Sequence, residues 1–465
     1  MVTSLSISGL RGFGKEQTIQ FAVPNGEEGS GLTFIVGSNN SGKTTILEGL
    51  RSFDCRQGNS PSFSERKRNT KCNGIVSLSL QVDDTSYIIK TVPNGGSQTE
   101  FIKSDAQEGE YWNGPSLYIL PSRRFVEYEF SRNETSREDY IYNQQNYANN
   151  RVASLSEFSS RLFAMQRNKE EFNTLLKRVL GYDLHWTIEQ NDNGSYYLKV
   201  IINGCEHSSE GLGDGIWSVF TICDALYDSE PGAFIAIDEP ELSLHPAYQK
   251  RIMSLLRERA KDRQIVICTH SNYFIDWESL CHSAVLYRAV KDNEGDICLF
   301  SLSEESKRTI QSLSRDINQP HTVGLEAKEI FFLEDNVIIT EGQEDVIMYA
   351  KAANQLHLSL NGNFFGWGSG GAANIKHVCM ILQDLGYKKV SAIFDGDKKD
   401  FKEEAEAEYP DYNFQIIPRD DIRDKKEHIN AAKDGMMTEK GKLKDEHAEE
   451  MKVLLENINA YFSRG

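Results

Sequence analysis

Two groups of residues in this 465-residue chain have types and spacings that suit chemistry. The first starts at Gly37-Ser-Asn-Asn-Ser-Gly42-Lys43-Thr44-Thr45, which matches GxxxxGK[ST]. In such a loop Gly37, Asn39, Asn40, Ser41 and Gly42 curl backbone N–H groups around phosphates. Lys43 neutralises the β/γ charge, the Thr44 hydroxyl can ligate Mg2+, and Thr45 closes the run, so the expected ligand is ATP with Mg2+. Its partner is Phe234-Ile-Ala-Ile-Asp238-Glu239-Pro240, an apolar run ending in two carboxylates. Asp238 suits the metal, and Glu239 is placed to polarise an attacking water.

The second group lies near the other end of the chain. Val337-Ile-Ile-Thr-Glu341-Gly342-Gln-Glu-Asp345 and Val390-Ser-Ala-Ile-Phe-Asp395-Gly396-Asp397 each read as a strand running into acid. Residues two apart on an extended segment face the same side, so Asp395 and Asp397 are expected to share a hard cation. With Glu341 beside them, the cluster would attract Mg2+ or Mn2+ and repel a phosphodiester unless metal is bound.

These residues need elements to hold them. Leu32–Val36 is an apolar strand before the glycine loop, and Ile46, Leu47 and Leu50 give the following helix an apolar face. Residues 1–125 otherwise read as strands with turns. Arg151–Leu180 changes to helical spacing, an insertion at about 135–182 too short for a long coiled-coil arm. The polar stretch 301–329 reads as a linker. From 330 the order β-α-β-α-β implies a second, parallel-sheet domain running to 465, closed by a helix with Met451, Leu454, Leu455 and Ile458 on one face. The first domain is then 1–300.

Composition narrows the function classes. Lys+Arg number 51 against 69 Asp+Glu, a net charge of −18, which argues against coating nucleic acid through bulk charge but leaves a local site open. No run of about 18–20 apolar residues is present, so no membrane span is expected. Met1-Val-Thr-Ser alternates like a strand rather than a leader. Eight scattered cysteines without a CxxC pair favour a reducing, cytoplasmic setting.

Glu239-Pro-Glu-Leu-Ser-Leu-His245-Pro246 resembles the stretch after the Walker B strand in ABC-type ATPases of the SMC and OLD group, and Ile267-Cys-Thr-His270-Ser271 resembles their switch histidine. Ser208-Ser-Glu-Gly-Leu-Gly-Asp-Gly215 lies where that group carries its signature loop; departing from LSGGQ, it transfers only Ser209 and Gly211 as nucleotide contacts. The resemblance implies a homo-oligomer, a dimer or larger, in which one protomer's signature loop completes its partner's ATP site. Leu120-Pro-Ser-Arg123-Arg124 resembles a segment near the group's Q-loop and reads equally well as an exposed basic turn.

The second carboxylate group, with Gly366-Trp-Gly-Ser-Gly-Gly371 between its strands, resembles the TOPRIM domain of topoisomerases, primases and OLD-family nucleases. That resemblance implies Glu341 as ligand or general acid/base, Asp395 and Asp397 as metal ligands, and a further acid after the run Phe414-Gln-Ile-Ile-Pro, which could be Asp420, Asp421 or Asp424 among Arg419, Arg423, Lys425 and Lys426. The whole is therefore expected to be an α/β protein, with an ABC-type P-loop ATPase domain, a helical insertion and a smaller TOPRIM-like domain. The implied function is an ATP-hydrolysing, metal-dependent nuclease in anti-phage defence or DNA processing. The alternative is a sensor and scaffold ATPase resembling the ATPase subunit of PARIS-type systems, holding a separate effector protein. For that version the acidic run Lys402-Glu-Glu-Ala-Glu-Ala-Glu408 would be a dock, although such runs are more often solvated helix faces.

Overall fold

Leu32–Val36 is buried at every position, and a strand apolar on both faces belongs inside a covered sheet. It lies within six strands in the order Ile297–Ser301, Val285–Lys291, Leu32–Val36, Gln264–Thr269, Phe234–Asp238 and Leu117–Leu120. Leu32–Val36 pairs in parallel with Val285–Lys291 and Gln264–Thr269, and Phe234–Asp238 pairs in parallel with Gln264–Thr269 and Leu117–Leu120. The parallel register sends the residues after Val36, Leu120, Asp238 and Thr269 to one edge of the sheet, where open α/β sheets bind ligands.

The computed structural model describes residues 1–53, 61–92, 96–104, 114–124, 131–132, 134–137, 139, 158–202, 204–227, 229–313, 327–333, 335–425 and 433–463. The chain divides into two compact units, Met1–Leu299 and Phe300–Gly465. In the first, an antiparallel sheet of five strands, Gln17–Gln20, Val2–Ser8, Ser77–Val82, Thr85–Thr91 and Thr99–Lys103, adds a second layer. Its inward residues Leu5, Ile7, Leu78 and Ile89 share a core with Ile46, Leu47 and Leu50 of the helix Lys43–Arg51. Each such buried aliphatic side chain contributes about 1.5–3 kcal/mol, so the helix after the glycine loop is held by packing.

The helical insertion consists of Phe158–Arg167 and Lys169–Leu180, separated at Asn168. The expected helical residues 151–157 lie outside the described ones. Phe172 of the second helix meets Trp186 and Phe220 edge-on at 6.1 and 5.6 Å.

The described residues of the second unit form a sheet of four strands in the order Asn363–Phe364, Val337–Ile339, Val390–Phe394 and Asn413–Ile416, all parallel, and a separate pair, Asp421–Arg423 with Gly435–Met437. Met451, Leu454, Leu455 and Ile458 of the helix Ala448–Ser463 bury against Ile338, Met348 and Ile393. The segment expected as a linker differs. It holds the helix Glu304–Leu313, with Ser306 and Ile310 buried. Asp384 anchors its start, accepting from the Ser306 hydroxyl at 2.6 Å and the Ser303 N–H at 3.0 Å. No helix among the described residues is long and apolar enough to cross a membrane.

Candidate active sites

The glycine loop has the strain its motif implies. Gly37 at φ 150° and Gly42 at φ 98° could not carry a side chain, since a Cβ would stand 2.3 Å from the Ala289 carbonyl and from Ile297 Cδ1. Lys43 Nζ donates to the carbonyls of Gly37 and Ser38 at 3.0 and 3.1 Å, and lies 2.8 Å from His270 Nε2. Burial holds the Lys43 amino group below its usual range, although it remains next to Glu239 and Asp238.

Asp238 and Glu239 complete the cleft. The Thr44 hydroxyl donates to Asp238 Oδ2 at 2.9 Å, while the buried Oδ1 has no hydrogen-bond partner. Burial pushes Asp238 up to about 6. A buried carboxylate oxygen left open beside a threonine hydroxyl fits a hard cation. Thr44 and Asp238 would hold Mg2+, which supplies charge neutralisation for phosphate oxygens. Glu239 takes a left-handed backbone, φ 44°, and its carboxylate lies 3.6 Å from His270 Nε2. The neighbouring imidazole keeps Glu239 below the usual carboxylate range, so it is ionised at neutral pH.

A cleft of about 690 Å³ is lined by Asn39, Asn40, Ser41, Gly42, Lys43, Thr44, Thr45, Asp238, Glu239 and His270. That volume suits a nucleotide-sized ligand. Ser209 and Gly211 form a short 3-10 turn before the helix Asp214–Tyr227 and do not line this cleft.

Two residues around the cleft were not singled out from the sequence, and a third was read only as part of a Q-loop-like segment or an exposed basic turn. Arg11 lines it, and its guanidinium pairs with Glu48 at 2.6 Å. Glu241 accepts from the His270 N–H at 2.6 Å and the Thr269 hydroxyl at 2.8 Å, which fixes the strand end that presents His270. Arg124 is the third. The sequence allowed an exposed basic turn here, but Arg124 is only 6% exposed, with its guanidinium inserted among backbone carbonyls.

The second group gathers differently from the expectation. Glu341 Oε1 accepts from the Asp395 N–H at 2.9 Å, which sets these two residues at adjacent strand ends. Asp395 faces Glu341, Asp345 and Asp421, and burial together with those charges pushes it up to about 8. Burial also raises Glu341, and Asp345 to about 6. Of the three alternatives for the further acid, Asp421 is the buried one; Asp424 is engaged by Lys444 at 2.7 Å and the Gly435 N–H at 2.9 Å, and Asp420 is exposed.

Asp397 acts on Glu341 through its charge but is itself held by two lysines. Burial works against its ionisation, but Lys398 at 2.9 Å and Lys433 at 3.3 Å hold it below its ordinary range. Asp421 pairs with Lys425 and lies 3.9 Å from Lys433. Among the described residues, the one triplet of potential ligands whose oxygens lie mutually within 4.8 Å is Asp292, Glu294 and Asp296. Lys15 and Lys71 already attend that turn. Neither Glu341, Asp395 and Asp397 nor Glu341, Asp395 and Asp421 bring their oxygens within that distance of one another in this structure; these acids act on one another through charge.

Residues 97–276 match the family described as "AAA domain, putative AbiEii toxin, Type IV TA system". The match takes in Asp238, Glu239 and His270 and leaves the glycine loop outside. Among solved structures, the chain is similar to the SMC head domain from Thermotoga maritima (13% identity, 65% of this chain and 99% of that one, TM-score 0.38). It is also similar to an SMC head bound to the C-terminal winged-helix domain of ScpA (14%, 66% and 99%, TM-score 0.44). A third similar structure is an SMC head with an extended coiled coil, bound to the C-terminal domain of ScpA derived from Pyrococcus furiosus (12%, 68% and 99%, TM-score 0.43). No curated protein matches the chain. The glycine loop, the acidic strand end and the AAA-domain match over residues 97–276 together support an ATPase.

Proposed function

We propose that the chain couples this ATPase to a metal-dependent, OLD-like nuclease centre in its second unit, working in anti-phage defence or DNA processing. One observation carries the reading: Glu341 accepts from the Asp395 N–H at 2.9 Å at the carboxyl edge of a parallel sheet, with Asp345 and Asp421 near enough for their charges to help push Asp395 up to about 8. Like charges buried together are unfavourable unless protons or a cation answer them. Glu341, Asp395 and Asp421 are the residues to hold Mg2+ or Mn2+, and Lys398, Lys425 and Lys433 form a cationic margin suited to a phosphodiester.

At the ATP site, Lys43 and the loop N–H groups bind phosphate, Glu239 takes a proton from the attacking water, and His270 senses the γ-phosphate. Ser209 and Gly211, which do not line the cleft of their own protomer, would complete the site of a partner in a dimer or larger homo-oligomer. A cytoplasmic location accords with the free state of the described cysteines. The domain division follows as 1–300 for the ATPase and 330–465 for the TOPRIM-like part.

A second reading is favoured by Asp397, which is tied to Lys398 and Lys433. In it the TOPRIM-like part is degenerate and holds a separate effector nuclease. Incubating the purified protein with plasmid DNA or structured RNA and Mg2+ or Mn2+, alongside Glu341→Ala, separates the two. The nuclease reading expects cleavage that the variant loses; absence of cleavage by wild type with either metal would favour the scaffold.

A further inference from the structure

Arg124 follows the strand Leu117–Leu120, at the sheet edge shared with Asp238 and His270. Its guanidinium uses all five of its N–H donors. Nη1 donates to the carbonyls of Pro121 at 2.9 Å and Asp238 at 3.0 Å, and Nη2 to those of Glu239 at 3.0 Å and Pro240 at 3.4 Å. Nε donates to Ser218 Oγ at 3.2 Å. Three consecutive carbonyls point at one cation because the chain turns left-handed at Glu239, φ 44°. That conformation is costly for a side chain other than glycine and persists where its surroundings enforce it.

The fifth bond reaches a different element. Ser218 lies on the helix Asp214–Tyr227, which follows Ser209–Gly211, and its hydroxyl also donates to the Leu242 carbonyl at 3.5 Å. The same helix meets the turn at Gly215, where a Cβ would stand 2.6 Å from the Ser243 carbonyl. Ser243 is itself left-handed, φ 62°. The turn bearing Glu239 is thus gripped by Arg124 on one side and by this helix on the other.

We propose that Arg124 is a positioning residue for ATP hydrolysis: its guanidinium holds Glu239 in its left-handed turn and ties that turn to the helix Asp214–Tyr227. A displacement of that helix then reaches the Glu239 carboxylate through one side chain. The inference rests on Glu239 serving as the base. Lysine cannot replace the clamp, because a single ammonium has three donors at one point, whereas the guanidinium spreads five across a plane.

The test is Arg124→Lys and Ser218→Ala in the full chain, beside Glu239→Gln, with steady-state ATPase kinetics and binding of a fluorescent ATP analogue. Arg124→Lys is expected to lower kcat by roughly 10- to 100-fold, the scale on which small misplacement acts, with KM and analogue affinity within about twofold. Ser218→Ala, which removes the Arg124 bond to the helix together with the long hydroxyl contact to the Leu242 carbonyl, is expected to lower kcat by a few-fold, and adding it to Arg124→Lys should cost little more. An unchanged kcat in Arg124→Lys, or kcat and nucleotide affinity falling in parallel, would overturn the clamp. Should Arg124→Lys fail to fold, Ser218→Ala decides: lowered kcat with unchanged affinity supports the proposal, and wild-type kcat overturns it. Full turnover in Glu239→Gln would instead remove the base assignment, a separate failure.

Discussion

The two carboxylate sites of this chain are built on the same plan and balanced in opposite ways. Each stands at the carboxyl edge of parallel strands, where successive strand ends bring acids together. At the ATP site the acids are mostly answered by the protein: Asp238 Oδ2 has Thr44, with its Oδ1 left open, Glu239 has His270, and Lys43 lies close to both. In the second unit Glu341, Asp345 and Asp395 face one another, and the lysines attend Asp397 and Asp421 at the margin. The difference teaches that the first site is organised in advance for a nucleotide. The second holds unbalanced charge that a cation would relieve.

The largest effect that could break this contrast is at the ATP site. Lys43→Ala is expected to abolish ATP hydrolysis, and Glu239→Gln to lower turnover by about 10²–10⁴-fold, the range for losing a general base, while retaining bound ATP. Phosphate release and nucleotide retention on a spin column check both, and unchanged turnover in the two variants would remove the site assignment.

Next comes the relative weight of Asp395 and Asp397. Asp395→Asn is expected to eliminate metal-dependent cleavage, whereas Asp397→Asn should leave much of it, because Asp397 is committed to Lys398 and Lys433. Cleavage rates of an end-labelled substrate rank the two. Equal losses would restore the shared-cation pair that the sequence suggested.

A smaller effect follows from linkage. Asp395 titrates at about 8 in the folded chain against an ordinary value of 3.8. A raised value means the folded state binds more protons between these limits, so the stability it contributes is present below about 4 and lost as pH rises through about 8. Mg2+ should therefore raise the melting temperature of the second unit more at pH 8.5 than at pH 5.5. Differential scanning calorimetry with Asp395→Asn as control reads this, and an equal shift at both pH values contradicts it.

The sequence and the structure agree where function is written in one local string. Gly37–Thr45 and Phe234–Glu239 each carry strand, turn and acid or glycine together, so their placement at one sheet edge was legible. Arg124 was not, because its burial depends on carbonyls contributed by a turn far along the chain. Nothing in Leu120-Pro-Ser-Arg-Arg distinguishes a clamped arginine from a solvated one. The choice of Asp421 over Asp420 and Asp424 was hidden for a related reason, since interleaved Arg and Lys residues pair with several acids and only the fold assigns the pairs. The helix Glu304–Leu313 escaped notice because it buries Ser306 and takes its anchor from Asp384, so its inward face is partly polar.

The central claim is that the carboxylates around Asp395 form a cation site completed by metal. Calorimetric titration of the nucleotide-free protein with Mn2+ at pH 7, in two buffers of different ionisation enthalpy, tests it most directly. With Asp395 near 8, most molecules carry its proton before metal arrives, and a ligand carboxylate must lose it on binding. The account predicts saturable binding with release of close to one proton, abolished in Asp395→Asn. Absence of binding in the wild type, or binding without proton release that survives in Asp395→Asn, would contradict it.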